Sequence, residues 1–233
     1  MISDKDANFY HENGYIVVDD VYSMAEVEAM RAVVEELVEK SREVSDHNDI
    51  YDLEPAHTSE KPRVRRIKEP FKVHPLYREM VEHPNVISIM NKLIGVNQRL
   101  HGGKINIKAA SFGSPVEWHQ DWAFYPHTND DVITALLMVD EVTDENGPLE
   151  VLPGSHKGEI HGLWHDGVFT GAIDDGIAAE CQKKAALCTG PAGSVCLMHT
   201  RLLHGSAPNK SANPPISPIS GIPAAPPKPA SPN

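Results

Sequence analysis

A chain of 233 residues suits one domain with a sizeable core. Its formal net charge of −12 argues against nucleic acid or an anionic membrane surface as a general partner. The longest strongly apolar run, near residues 132–139, is far too short to span a bilayer, so no membrane span is expected. Cys181, Cys188 and Cys196 form no C-x-x-C pair, and an odd count without framework spacing suits a reduced, intracellular (cytoplasmic) protein. The first residues lack a basic stretch followed by an apolar one, so no signal peptide is expected.

The first hundred residues read as mainly helical. Ser23 and Glu26 make an S-x-x-E capping box, and Val27, Met30, Val33, Val34, Leu37 and Val38 follow at helical spacing. Residues 46–62 are polar and read as irregular. The one basic stretch comes next: Lys61, Arg63, Arg65, Arg66 and Lys68. It reads first as a solvated surface segment, and alternatively as an anion site. A second helix is predicted over 75–93, with Pro75 in its first turn, Gly95 as its stop, and a kink or division at His83-Pro84.

From about residue 100 the period changes. Residues 104–109 alternate like a strand, and 132–139 read as a strand buried on both faces. Glu145-Asn146-Gly147-Pro148 is a turn signal before a short strand over 149–152, and 193–199 reads as a late strand. Helices followed by many short strands predict an α+β domain built on a sandwich or jelly roll. Residues 208–233 carry nine prolines and no aromatic residue. They read as a disordered or polyproline tail rather than a strand. The expected organisation is one domain over 1–207, helical to about 98 and β-rich from 99, then the tail. No internal repeat is found.

Trp118-His119-Gln120-Asp121 and the remote His204-Gly205-Ser206 supply the residues of a 2-His-1-carboxylate set. Such a set occupies one face of an Fe(II) ion and leaves positions open for a co-substrate and O2. An isolated His-x-Asp is weak evidence in a chain with 13 histidines, and His47-Asn48-Asp49 is a decoy in a polar segment. His119 and Asp121 differ because strand-like runs surround them, and residues two apart on a strand share a face. The alternative for the pair is a core histidine bonded to a neighbouring carboxylate. Spacing alone leaves the third ligand open among His127, His156, His161, His165, His199 and His204. Trp118, Trp122, Phe124 and Tyr125 are candidates to wall the site, or simply to pack the core.

Trp118-His119-Gln120-Asp121, residues 146–157 and residues 203–211 together resemble the phytanoyl-CoA dioxygenase family of Fe(II)/2-oxoglutarate oxygenases. The opening run 13–19 resembles the family's N-terminus, and the likeness covers about residues 8–213. It implies a double-stranded β-helix (jelly-roll) core backed by N-terminal helices. It implies iron held by His119, Asp121 and His204, with His204 preferred to His199 because the distal ligand lies in the His-Gly-Ser triplet. It implies 2-oxoglutarate as co-substrate and O2 as oxidant, yielding succinate and CO2 as a small or medium organic substrate is oxidised. Ser206 matches a position that can hydrogen-bond the co-substrate, and Lys104 and Arg66 lie near where family members place further contacts to it. The family's substrates include acyl-CoA thioesters and diverse metabolites, and the basic stretch is a candidate to hold CoA phosphates.

The chain departs from the family after residue 213. Family members place a strand there that begins with an arginine, which pairs with the far carboxylate of 2-oxoglutarate. A buried carboxylate without a cation is costly, yet no basic residue lies between Lys210 and Lys228. The expectation is that the last core strand is replaced by the proline-rich tail, leaving an exposed sheet edge prone to self-association. Two other readings follow: a catalytically impaired or truncated member acting as a metal-binding or regulatory protein, and a cupin-like zinc or manganese protein.

Overall fold

The computed structural model describes residues 2–107, 116–124 and 130–210, and the backbone of 219–224. Ser3 and Ser23 each open a helix with a reciprocal capping box, through Asp6 and Glu26 respectively. The first helix is α1 (Asp4–Asn13), stopped by Gly14 in the left-handed region at φ 81°. Strand β1 (Tyr15–Val18) follows directly, then α2 (Met24–Lys40), which buries Val27, Met30, Val33, Val34 and Leu37. Next come β2 (Tyr51–Leu53), β3 (Val64–Lys68) and three short helices: α3 (Pro70–Val73), α4 (Pro75–Val81) and α5 (Pro84–Ile94). Pro84 at the start of α5 divides the predicted helix in two, because proline fits a first turn and not a helix interior.

The β-rich part comprises β4 (Arg99–Asn106), β5 (Val116–His119), β6 (Ile133–Leu137), β7 (Leu149–Val151), β8 (Trp164–His165) and β9 (Val168–Phe169). It continues through α6 (Asp175–Lys184), β10 (Ala186–Cys188), β11 (Val195–His199), β12 (His204–Ser206) and β13 (Ile219–Ala224). Seven strands form one antiparallel sheet in the order β1-β11-β6-β13-β4-β3-β2, and four form another in the order β10-β7-β12-β5. The two sheets face each other as a jelly roll.

Alternation along the large sheet decides what lies on each side. Ile16, Ile67, Ile105, Ile133 and Leu197 turn outward and join α2, α4 and α5 in the main core. Each such buried side chain contributes about 1.5–3 kcal/mol. The other face of the large sheet looks into the sandwich. At the β1-β11-β6 end it is apolar: Tyr15, Val17, Leu136, Cys196 and Met198 pack against Val151, Leu149 and Cys188 of the small sheet. At the β4-β3-β2 end the positions alternating with Ile105 and Ile67 are Lys104, Asn106, Arg66 and Lys68. One end of the interior is therefore greasy and the other cationic.

Three sequence expectations change. The first 98 residues hold strands β1, β2 and β3 as well as helices, and the segment over 46–62 contains β2. Each of these strands is only three to five residues long, and β1 and β3 find partners far along the chain in β11 and β4, so local periodicity does not reveal them. The basic stretch is only partly a solvated segment: Lys61 and Arg65 are exposed, but Arg65, Arg66 and Lys68 lie on strand β3, with Val64 and Ile67 buried. The tail is not wholly irregular either: β13 lies between β6 and β4, in the place where an empty last strand was expected. Pairing to β6 runs over Ile219, Ser220 and Gly221, while Pro223 lies beyond it at a register shift. A proline lacks only the N–H, so it is tolerated at such an irregularity. The edge expected to promote self-association is thereby filled. The rest of 208–233 beyond Lys210 lies outside the described residues.

Candidate metal and co-substrate site

Antiparallel pairing of β5 with β12 sets His119 directly opposite His204. Their rings are 4.2 Å apart, centroid to centroid. Just after His119 the chain leaves the strand for a 3-10 turn over Asp121–Ala123, which swings Asp121 back toward both histidines. Nε2 of His119 lies 3.7 Å from Asp121 Oδ1, and Nε2 of His204 lies 3.8 Å from the same oxygen. Among the described residues this is the one cluster of three histidine, cysteine or acidic side chains with ligand atoms mutually within 4.8 Å.

Each ligand atom is oriented from behind. His119 Nδ1 is 2.8 Å from the Glu117 carbonyl and His204 Nδ1 is 2.9 Å from the Leu202 carbonyl. A carbonyl only accepts, so each Nδ1 carries the proton and each Nε2 presents its lone pair to the shared centre. Thr134 Oγ1, on β6, donates to Asp121 Oδ2 at 2.7 Å. That bond occupies the second carboxylate oxygen and leaves Oδ1 for a cation. Burial pushes the Asp121 carboxyl up, but His204, His119 and Thr134 outweigh it and hold it below the usual range. Burial lowers His204 to about 4, helped by His119 and opposed by Asp121. Two neutral imidazoles and one carboxylate suit Fe(II), whereas thiolates would favour zinc or clusters. All three cysteines are buried and none belongs to this group.

Gln120, between the ligands, points the other way and is fully buried. Its amide donates to the Glu159 and Arg201 carbonyls at 3.0 and 2.7 Å, and its oxygen accepts from the His161 amide at 2.9 Å. It thus ties the ligand turn to two loops. Gly205 separates His204 from Ser206 because a Cβ there would sit 2.8 Å from the Val116 carbonyl. Ser206 shares a face with His204, and its Oγ accepts from the Val116 amide at 3.0 Å. Sequence reading missed the positioning roles of Thr134 and Gln120. The signal for Gln120 was its place between two residues that share a face; Thr134 gave none, being one polar residue in an apolar strand.

Lys104 is half-buried on the inner face of β4. Burial lowers its amine, with Asp121 opposing and Arg66 adding to the effect, so it shares one electrostatic environment with the triad. Arg66 is held by Asn106 Oδ1 at 3.2 Å and by Asp52 Oδ2 at 3.3 Å. Lys68 lies 3.2 Å from Asp52. Three cations with one carboxylate thus line β3 and β4.

The remaining candidates separate. His47 is exposed and accepts from the Leu53 amide. His199 lies against His156 with ring centroids 5.3 Å apart and planes tilted by 44°, accepts from the Arg201 amide, and is not part of the triad cluster. His165 Nε2 lies 2.9 Å from the Ala172 carbonyl, and His161 enters the site's surroundings only through its backbone. Trp118 packs with Leu163, Ile173, Cys181 and Leu203, so it is core. Phe124 meets the His119 ring edge-on at 6.0 Å, so it walls the site. Trp122 is half-buried, and its amide donates to the Thr200 carbonyl. His127 and Tyr125 lie outside the described residues.

Comparison with known proteins agrees with this geometry. The family model for phytanoyl-CoA dioxygenase (PhyH) matches residues 10–215. A probable alpha-ketoglutarate-dependent hypophosphite dioxygenase from Stutzerimonas stutzeri is 36% identical over 208 residues, covering 87% of this chain and 72% of the relative. An ectoine dioxygenase from Sphingopyxis alaskensis is 25% identical over 228 residues, 89% of this chain and 71% of that one. The solved structure of EctD from S. alaskensis with 2-oxoglutarate and 5-hydroxyectoine superposes with a TM-score of 0.77 at 25% identity, covering 96% of this chain and 76% of the other. The chain belongs to the phytanoyl-CoA dioxygenase family, and it is an Fe(II)- and 2-oxoglutarate-dependent dioxygenase.

Proposed function

We propose that His119, Asp121 and His204 hold the iron, and that Lys104, Arg66 and Ser206 contact 2-oxoglutarate in the oxidation of a small to medium organic substrate. The observation that carries this reading is the convergence of two carbonyl-locked Nε2 atoms on one oxygen of a carboxylate whose other oxygen is already bonded. When bound, Fe(II) supplies the chelation point for the keto acid and couples its decarboxylation to oxidation of the substrate.

The chain's own residues set the conditions. Both imidazoles turn Nε2 to the shared centre because each Nδ1 is bonded to a carbonyl, and burial keeps His204 neutral at pH 7. Thr134 keeps Asp121 to one oxygen, so positions opposite the three protein ligands stay open. Charge balance supports the role of Lys104. A dication with one carboxylate leaves one positive charge, 2-oxoglutarate brings two negative charges, and the Lys104 ammonium restores neutrality. Charge compensation of a buried carboxylate is required, and β13 brings no arginine. Arg66, oriented by Asn106 and Asp52, is the second cation on that face. Arg66 and Lys68 turn inward onto Asp52, so they favour a compact ligand over the phosphates of CoA. The named relatives act on hypophosphite and ectoine, which supports a small substrate. They also favour an active oxygenase over a regulatory metal binder.

The test is an anaerobic titration with Fe(II) and then 2-oxoglutarate, followed by visible absorption. A saturable charge-transfer band at micromolar co-substrate, lost in His119→Ala, is the expected result. Iron binding without the band would mean that Lys104 and Arg66 do not replace the missing arginine.

A further inference from the structure

The hairpin β8–β9 carries large apolar side chains that its own packing does not require. Trp164 is 66% exposed, Val168 62% and Phe169 48%. The hairpin is two residues per strand around Asp166 and Gly167, both with positive φ, 51° and 80°. That pair suits a tight two-residue turn. So small a ribbon is not stable alone, and this one is firmly mounted. Thr170 donates from its amide and its hydroxyl to the Leu163 carbonyl, and His165 is tied to the Ala172 carbonyl. Leu163 and Ile173 at its base are buried against Trp118 of β5, and the Ile173 amide donates to the Trp118 carbonyl at 2.9 Å. The platform is therefore fixed to the strand that carries His119.

Its aromatic face runs to the metal site. Trp164 pairs across the hairpin with Phe169, ring centroids 5.4 Å apart. Phe169 meets Phe124 edge-on at 6.0 Å, and Phe124 meets His119 edge-on at 6.0 Å. Three ring-to-ring steps thus lead without interruption from an exposed tryptophan to a triad histidine. Edge-on packing of Trp164 and Phe169 keeps the faces of those two rings clear of each other for a flat guest.

We propose that Trp164, Phe169 and Phe124 form the wall of the substrate entrance and bind a flat, apolar part of the primary substrate while its oxidised carbon reaches the triad. This rests on the reading of the triad as the oxidising centre. It divides the site by chemistry: cations on β3 and β4 for the carboxylates of the co-substrate, aromatic rings leading to His119 for an apolar body. The substrate is then a small organic molecule with a planar or hydrocarbon portion, which separates this chain from the hypophosphite named for one relative.

The probe is 6-fluoroindole, followed by 19F NMR with the full chain and Mn(II) as a redox-silent occupant of the triad. The expected result is saturable binding with line broadening that requires Mn(II). Trp164→Ser and Phe169→Ser each weaken probe binding at least fivefold with Mn(II) affinity unchanged. Both side chains are largely exposed, so these variants keep the fold. Wild-type probe binding in both variants, or broadening that does not depend on Mn(II), overturns the proposal. So does concentration-dependent dimerisation in sedimentation that Trp164→Ser abolishes, which assigns the face to a second copy. Failure of the wild type to bind Mn(II) sinks the triad reading and this proposal together. Mn(II) binding with variant-insensitive probe binding sinks the platform alone.

Discussion

Replacing Thr134 with valine isolates the part of the site that the sequence did not advertise. The change keeps the branched shape and removes one hydroxyl, whose Oγ1 donates to Asp121 Oδ2 at 2.7 Å in a buried setting. A hydrogen bond to a charged group contributes about 1.5–3 kcal/mol, and the change leaves a buried carboxylate oxygen without its donor. For a chain of this size 1 kcal/mol corresponds to about 2–4 °C in Tm, so the metal-free variant should melt about 3–12 °C lower. Freed from Thr134, the carboxylate is no longer restricted to one oxygen toward the cation. Loss of such supporting partners typically costs 10–100-fold in metal affinity. The assay is anaerobic Fe(II) titration with calorimetry, alongside thermal unfolding of the metal-free protein. Thr134→Ser, which keeps the hydroxyl, should restore most of the affinity. Iron affinity within twofold of the wild type, with an unchanged Tm, would refute the reasoning.

Three further outcomes are expected. Lys104→Met should weaken 2-oxoglutarate binding by about 10–100-fold, the equivalent of one charge-assisted hydrogen bond, while iron affinity stays within a few-fold; equal losses of both would assign Lys104 to the fold. His199 is held at about 4 chiefly by burial, with His156 and Arg201 adding and Asp130 and Asp131 opposing. Between pH 6.5 and 4 the unfolded chain binds a proton that the folded chain refuses, so stability must fall as pH drops, by about 3 kcal/mol across that window; denaturant titrations of His199→Gln should show a flatter pH dependence, and an unaltered slope would contradict this. Deleting residues 211–233 removes β13 and leaves β4 and β6 each unpaired on one side, so size-exclusion chromatography should show association or precipitation; a monomer with wild-type Tm would show that β13 is dispensable.

What the sequence could display was whatever is written locally. Ser23 with Glu26 and the spacing of Val27, Met30, Val33, Val34 and Leu37 specify α2, because a capping box and a 3.6-residue period need nothing beyond the segment. Family likeness in three separated runs was enough to single out His119, Asp121 and His204 before any geometry was known. Strands β1, β2 and β3 were hidden because each is short, and because β1 and β3 take partners far along the chain in β11 and β4. A run such as Tyr15–Val18 becomes a strand only when β11 lies beside it. The tail misled for the same reason: nine prolines read as irregular, and only β4 and β6 on either side make 219–224 a strand.

The sequence alone therefore pointed to α2, the helical stretch over 75–93, the fold class and the proposed ligand set, since each rests on residue types and spacing within short windows or on family pattern. Tertiary structure alone decided how those ligands work. Pairing of β5 with β12 brought His119 opposite His204 across 85 residues of chain, and β6 supplied Thr134 to the Asp121 carboxylate. Alternation on β3 and β4 turned Arg66 and Lys104 inward rather than to solvent. The reason is physical: a side chain's distance to a partner on another strand depends on register and sheet order, and neither is encoded in its own neighbourhood.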